Sequence, residues 1–198
     1  MNGASQEIAW TWFGIRASGV TAWGLLSAVM IWGLLMRTRL FGSAAPARLL
    51  NMHRWLGSLA LLFLAVHLGL LLIDPAVHFT VAQILVPGLA PWEPIAVAFG
   101  VLAMWFMLPV SALGRLRTKL GKHGATFFKR SHLIAYSAWP LATAHYVLAG
   151  TDALAEWSIA LLIAVSAVMV FLLLVRGYIP PQRKARAPQP KEPENVPA

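Results

Sequence analysis

Five apolar segments, each about 20 residues or longer, constrain what this 198-residue chain can fold into. A helix needs about 20 apolar residues to cross the hydrocarbon core of a bilayer. The chain is 59% hydrophobic and only 12% charged, a composition that soluble domains do not have. We therefore expect an all-α integral membrane helical bundle. Its five predicted transmembrane helices are Trp12–Met36, His53–Ile73, Trp92–Gly114, Arg130–Ala149 and Glu156–Arg176.

Positive charge alternates between the segments that connect these spans. The first and third connections and the C-terminal tail hold 15 of the 16 basic residues, whereas residues 74–91 and 150–156 hold none. The positive-inside rule makes the basic side cytoplasmic. We predict an N-terminus outside and a C-terminus inside, in a multi-pass protein of the cell membrane, the plasma membrane of a bacterium. Topology accounts for the net charge of +9, so we expect lipid and no nucleic acid as a partner.

Two segments do not have the pattern of a span. Residues 74–91 are apolar but short and bounded by prolines, so we expect a short interfacial helix that caps the outer end of the bundle. The tail is rich in Pro, Lys, Arg and Glu and has no apolar period. The predicted organisation is one transmembrane domain over residues 10–176 and a disordered cytoplasmic tail over residues 177–198.

Four histidines lie within the predicted spans as two pairs. His53 and His67 are 14 residues apart, and His132 and His145 are 13 apart. Either spacing is roughly 20 Å along a helix axis. His53 and His132 therefore lie near the cytoplasmic face, and His67 and His145 lie toward the outer face. Two histidines at each of two levels predict two bis-histidine hemes stacked across the bilayer.

The rotation of each pair about its helix axis differs. His53 and His67 share a face, and Gly57 on that face leaves room for a porphyrin. His132 and His145 are about 140° apart on a straight helix. Pro140 lies between them and kinks or retwists the helix. Two alternatives stay open: the kink brings both rings to one face, or the two hemes are rotated relative to each other.

The other reading of a membrane histidine is a hydrogen bond to a neighbouring helix. Four histidines at matched levels make that reading weaker. The spans carry no mid-span Asp, Glu or Lys, which weakens a proton relay or an ion site. The chain has no cysteine, so thiolate ligation and thioether attachment are excluded. The expected cofactor is non-covalent heme b.

Three arginines are candidate partners for heme propionates, because arginine binds carboxylates with two parallel hydrogen bonds. Arg16 lies within the outer part of the first span, where either an outer propionate or the outer headgroups can balance its charge. Arg54 and Arg130 flank the inner histidines, although the positive-inside rule alone explains them. Trp139 and His78 have either packing roles or roles near the hemes.

The stretches HRWLGSLALLFLAVH (53–67) and HLIAYSAWPLATAH (132–145) resemble the ferric reductase-like transmembrane domain. That family includes ferric reductases, NADPH oxidases and the heme-binding subunit of the methionine sulfoxide reductase system. The resemblance covers roughly residues 10–176. It implies that the four histidines ligate two hemes, and that Arg16 matches an arginine near the outer heme of the oxidases.

The resemblance implies the membrane heme subunit of an oxidoreductase, without catalytic residues of its own. The sequence shows no nicotinamide-binding motif after the last span. We expect electrons from a cytoplasmic reductase, an exchangeable flavin or a membrane quinol. They would pass through the inner and outer hemes to an extracytoplasmic ferric chelate, flavoprotein or reductase partner. The alternatives are a heme sensor or transporter without electron transfer, and a small proton or metal transporter.

Overall fold

The computed structural model describes residues 3–38, 46–116, 119 and 121–178, and every regular element in these residues is a helix. The predicted all-α class is confirmed. The helices are α1 (Gly3–Thr38), α2 (Pro46–Ile73), α3 (Val81–Leu85), α4 (Pro94–Leu116), α5 (Gly121–Ser131), α6 (Ala135–Ala149) and α7 (Glu156–Tyr178).

Four of these helices are long and apolar enough to cross a membrane: α1, α2, α4 and α7. They match four of the five predicted spans, so the chain is a multi-pass membrane protein. The helices extend beyond the predicted boundaries. In particular, α2 begins at Pro46, seven residues before His53. Proline is favoured in a first helical turn because its missing N–H has no intrahelical partner there. His53 therefore lies two turns inside α2 rather than at its start.

The segment predicted as a fourth span, Arg130–Ala149, is not one continuous α-helix. The amphipathic helix α5 ends at Ser131, and α6 begins at Ala135 and is 15 residues long. Between them the backbone continues in a tighter helical turn. Pro140 lies inside α6 and does not end it. This fourth segment is thus helical, but its α-helical part is shorter than a full span.

The predicted interfacial helix is present as α3. Thr80 and Gln83 form a capping box at its N-terminus. Trp105 of α4 donates its indole N–H to the Leu85 carbonyl at 2.9 Å and fastens α3 to the bundle. The preceding turn is held by Asp74, which is 4% exposed and accepts hydrogen bonds from the Thr11 hydroxyl at 2.7 Å and from the Val77 N–H at 3.0 Å.

The long helices pack as two antiparallel hairpins. The first hairpin is α1 with α2, and the second is α4 with α6. They join where α1 contacts α6, and α7 packs against α1 on the outside of that contact. Leu34 of α1 and Met169 and Leu172 of α7 form the buried cluster there. The interior between the hairpins is left for the candidate site.

Two sets of charged residues distinguish the ends of the bundle. The end with Arg54, Arg115, Lys129 and Arg130 is called the basic end, and the end with Asp74, Glu93, Asp152 and Glu156 is called the acidic end. α7 runs to Tyr178, so the predicted tail begins inside this helix, and its residues 179–198 lie outside the described residues. The disorder of the tail and the orientation of the bundle stay predictions.

The charge asymmetry predicts which end faces the cytoplasm. Reporter fusions after Ala90, Gly121 and Ala198 should report outside, inside and inside, because 15 of 16 basic residues lie on one side. Alkaline phosphatase and green fluorescent protein fusions measure this with opposite signs. An outside signal at Gly121 would overturn the orientation.

Candidate functional site

The four predicted histidines face one another as two pairs at two levels. The ring centroids of His53 and His132 are 6.1 Å apart at the basic end, and those of His67 and His145 are 6.4 Å apart toward the acidic end. These are the pairs that level matching predicts. α2 contributes one histidine to each pair, and the chain around α6 contributes the other.

The rotation of His132 relative to His145 comes from the turn between α5 and α6. Each backbone N–H of residues 133–137 donates to the carbonyl three residues earlier, at 2.9–3.2 Å. Such 3₁₀ bonding turns the chain by about 120° per residue instead of about 100°. Five residues therefore add about 100° and bring the two rings to within about 40° of one face. The retwist therefore lies before Pro140 rather than at it, and the relative rotation of the two hemes stays a prediction.

Three of the four histidine rings lie against a glycine of the neighbouring helix. A Cβ atom at Gly19 would be 3.0 Å from His67, one at Gly33 would be 3.3 Å from His53, and one at Gly100 would be 2.9 Å from His145. At the fourth position the glycine is Gly114, and the ring against it is that of Phe128, on which His132 packs at a centroid distance of 5.0 Å. We call these four glycines the glycine seats. A side chain at Gly100 would require the His145 ring to shift, and at the other three seats the ring would have to give by a few tenths of an ångström.

The backbone orients the histidines at the acidic-end level. His67 Nδ1 is 2.9 Å from the Ile15 carbonyl, and His145 Nδ1 is 2.9 Å from the Ala96 carbonyl. Each carbonyl lies four residues before the glycine seat on the same helix. His53 lies next to the Val29 carbonyl, the equivalent position, without the geometry of a hydrogen bond. A carbonyl at Nδ1 fixes the tautomer that carries the proton there and leaves Nε2 as an acceptor.

Two adjoining cavities lie between the hairpins. The acidic-end cavity, of about 480 Å³, is lined by His67, His145 and a largely apolar wall. The basic-end cavity, of about 460 Å³, is lined by His53 and His132. Leu26, Ala60 and Met107 line both cavities and separate the two levels. Both volumes are in the range of cofactor sites.

The donor set fits bis-histidine heme ligation. Imidazole is a common heme ligand, and a nitrogen–metal bond is about 2 Å long. Rings whose centroids are 6.1 and 6.4 Å apart are too distant to stack on each other and leave the space of one metal ion between them. No group of three or more His, Cys, Asp or Glu side chains converges within the described residues. Each pair thus offers two ligands, the number that completes a porphyrin-bound iron.

Of the predicted cofactor-binding residues at the basic end, two line the basic-end cavity and one does not. Arg54 and Gly57 line the basic-end cavity, and a Cβ at Gly57 would meet nothing within 4 Å. Arg130 is exposed on α5 and is not part of the cavity wall. Arg115, which the sequence analysis missed, does line it and donates from Nη2 to the Ser58 hydroxyl at 3.2 Å.

Arg16 lines the acidic-end cavity but has a partner that the sequence analysis missed. Its Nε donates to Asp152 Oδ2 at 2.8 Å, and its Nη2 bonds Asp152 Oδ1 in the same bidentate pair. Its guanidinium also packs over the Trp12 ring at 3.8 Å. The ion pair balances a charge that would be costly at membrane depth. A role of Arg16 toward a propionate stays a prediction.

Trp139 and His78, for which the sequence left two roles open, do not line either cavity. Trp139 packs instead toward the cluster between α1 and α7. His78 is exposed in the turn before α3, with a positive φ of 52°. One sequence signal for the site was overlooked: Gly19 and Gly33 are 14 residues apart, as are Gly100 and Gly114, which repeats the spacing of His53 and His67 on the partner helices.

Comparison of the chain with known proteins does not identify a family. No family model, no curated protein and no solved structure matches the chain. The resemblance to the ferric reductase-like domain therefore rests on the histidine spacing, and the site is defined by its own residues.

Proposed function

We propose that this chain holds two b-type hemes and passes electrons across the membrane, from a donor at the basic end to an acceptor at the acidic end. The observation that carries the proposal is the pairing of four histidines across two stacked cavities. His53 with His132, and His67 with His145, would be the axial ligands. The proposed setting is the plasma membrane of a bacterium.

The second support is the way the ligands are held. The Nδ1 atoms of His67 and His145 are engaged by backbone carbonyls, which is the usual orientation of a metal-binding histidine. The glycine seats let the rings lie close to the helices that back them, leaving the cavity volume for a flat cofactor. A packed hydrogen-bonding histidine would need neither a glycine seat nor an adjoining cavity.

The chemistry that a bound heme supplies is reversible one-electron transfer. The protein's own residues would bind and tune it. Arg54 and Arg115 give the basic-end cavity positive charge, which suits propionates. At the acidic-end level, Arg16 already donates to Asp152, so a propionate there would have to share this arginine with that carboxylate. The donor would be a separate reductase, a flavin or a quinol, and the acceptor a ferric chelate, a flavoprotein or a reductase partner.

The purified protein should contain about two non-covalent hemes per chain, because it offers two bis-histidine sites and no cysteine for attachment. Pyridine hemochrome and protein assays measure the ratio.

Electron transfer is tested separately. In vesicles with ferricyanide trapped inside, an external reductant should reduce the trapped acceptor. A ratio near one contradicts the two-site proposal, absence of heme contradicts the whole proposal, and heme without transfer favours a sensor or heme transporter.

The ligand pairs should be separable by mutation. His53→Ala and His132→Ala should each remove the same spectral component, and combining them should remove little more, since both rings belong to one site. His53→Ala with His67→Ala should remove both components. Redox titration resolves the components, and circular dichroism checks that helix content is kept. If His53→Ala and His67→Ala abolish one and the same component, the two-level proposal is wrong.

The glycine seats give a test that leaves the ligands in place. Gly100→Ala should lower the heme content toward about one per chain, because its Cβ would be 2.9–3.1 Å from three ring atoms of His145. The matched control is Gly24→Ala on α1, where a Cβ meets nothing within 4 Å and alanine favours the helix. Both variants are assayed by hemochrome. Equal heme content in the two would show that the seat does not matter.

A further inference from the structure

Four uncharged side chains form a reciprocal hydrogen-bonded ring between α1 and α6. Trp23 of α1 donates its indole N–H to the Thr143 hydroxyl at 3.0 Å. Trp139 of α6 donates its indole N–H to the Ser27 hydroxyl at 2.8 Å. Each indole is thus bound by a hydroxyl of the opposite helix, and neither Ser27 nor Thr143 lines a cavity.

The two hydroxyls complete the ring within their own helices. Ser27 donates to the Trp23 carbonyl at 2.9 Å, and Thr143 donates to the Trp139 carbonyl at 2.8 Å. Each hydroxyl therefore has its proton engaged and its lone pair turned to the other helix. Ser27 is 2% exposed and Trp23 is 4% exposed, so water does not compete for these groups. Polar side chains that bond across helices in this way contribute to association where the hydrophobic effect is weak.

We propose that Trp23, Ser27, Trp139 and Thr143 are a register lock that sets the relative height of the two histidine-bearing hairpins. Within the first hairpin, His53 and His67 tie α2 to α1 through the glycine seats Gly33 and Gly19. The second hairpin contributes Trp139 and Thr143 to the lock, and both lie on α6, the helix that carries His145. The hairpins meet directly at α1 and α6. The height of α6 on α1 therefore decides which histidines face each other.

The hydrogen bonds of the lock can form at only one position of α6 along α1, because of the residues that flank Ser27 and Thr143. A slip of one helical turn, about 5.4 Å, would move each residue of α6 by about four positions relative to α1. The indole of Trp23 would then be opposite Trp139 or Val147 instead of Thr143. The indole of Trp139 would be opposite Trp23 or Ile31 instead of Ser27. Neither alternative offers a side-chain acceptor, so both indole N–H groups would lose their partners.

The lock continues toward α7. The Trp23 ring packs on the Tyr146 ring at a centroid distance of 5.1 Å. Tyr146 is hydrogen-bonded to Ser158 of α7 at 2.7 Å, and Ser158 is completely buried. Tyr146 follows His145 directly in the chain, so the same network also supports the level of the acidic-end pair. These residues are positioning residues, because they act on the site through the helices.

The meaning of the lock for heme ligation rests on the proposed function, but the register itself can be measured without heme. The chain has no cysteine, so spin labels can be placed at introduced cysteines without background. Suitable exposed positions are Met52 with Leu116 at the basic end and Ile73 with Ile95 at the acidic end. Each pair joins α2 to α4 across the hairpins. Double electron–electron resonance then reports the relative height and its spread.

The test variant is Ser27→Ala with Thr143→Val, and its matched control is Ser27→Thr with Thr143→Ser, which keeps both hydroxyls. Loss of one such bond should change the equilibrium between registers about threefold, and loss of both about tenfold. The test variant should show broadened distances and a larger high-spin heme fraction by paramagnetic resonance. The control should match the unchanged protein in both readouts.

Unchanged distances and an unchanged low-spin spectrum in the test variant would overturn the lock. If the double variant does not keep its helix content, Thr143→Val against Thr143→Ser carries the same comparison with one bond. If the protein binds no heme, the proposed function fails while the distance measurement still decides on the register. If heme is bound and the distances do not respond, the lock alone fails.

Discussion

The contact between a histidine ring and a glycine of the next helix is the interaction on which this bundle depends. It ties α2 to α1 at two heights through Gly19 and Gly33, and α6 to α4 through Gly100. In a membrane, close approach of helices replaces the hydrophobic effect as the source of packing. Because each ring occupies the space left by a glycine that has no side chain, the same contact holds the two helices of a hairpin together and orients the imidazoles toward the interior. Fold and candidate site are therefore one arrangement.

Charge is managed differently at the two levels. At the basic end, Arg54 and Arg115 line the cavity without an acidic partner in its wall. At the acidic end, the cation in the wall, Arg16, is held by Asp152 and Trp12, and Asp74 accepts hydrogen bonds from Thr11 and from its own turn. An anionic group would find more favourable charge at the basic-end level. This asymmetry gives the two proposed hemes distinct surroundings.

Most of the fold was predictable because the physical signals are local. Apolar length identified four spans that the structure confirms, and the prolines around residues 74–91 indicated the short helix α3. The segment Arg130–Ala149 is helical as predicted but is not one continuous α-helix, since hydropathy does not register a change from α to 3₁₀ bonding. The rotation that this change introduces over residues 133–137 compensates for the histidine spacing of 13 rather than 14.

The sequence by itself determined the helical membrane class, the two levels of histidines and the concentration of positive charge at one end, because length, spacing and charge are read along a single chain. The partners across the interior were decided by tertiary structure alone. Asp152 reaches Arg16 from 136 residues away, and Trp23 meets Thr143 from 120 away. Such pairings depend on which helix faces are brought together, and no local pattern in either segment specifies the other.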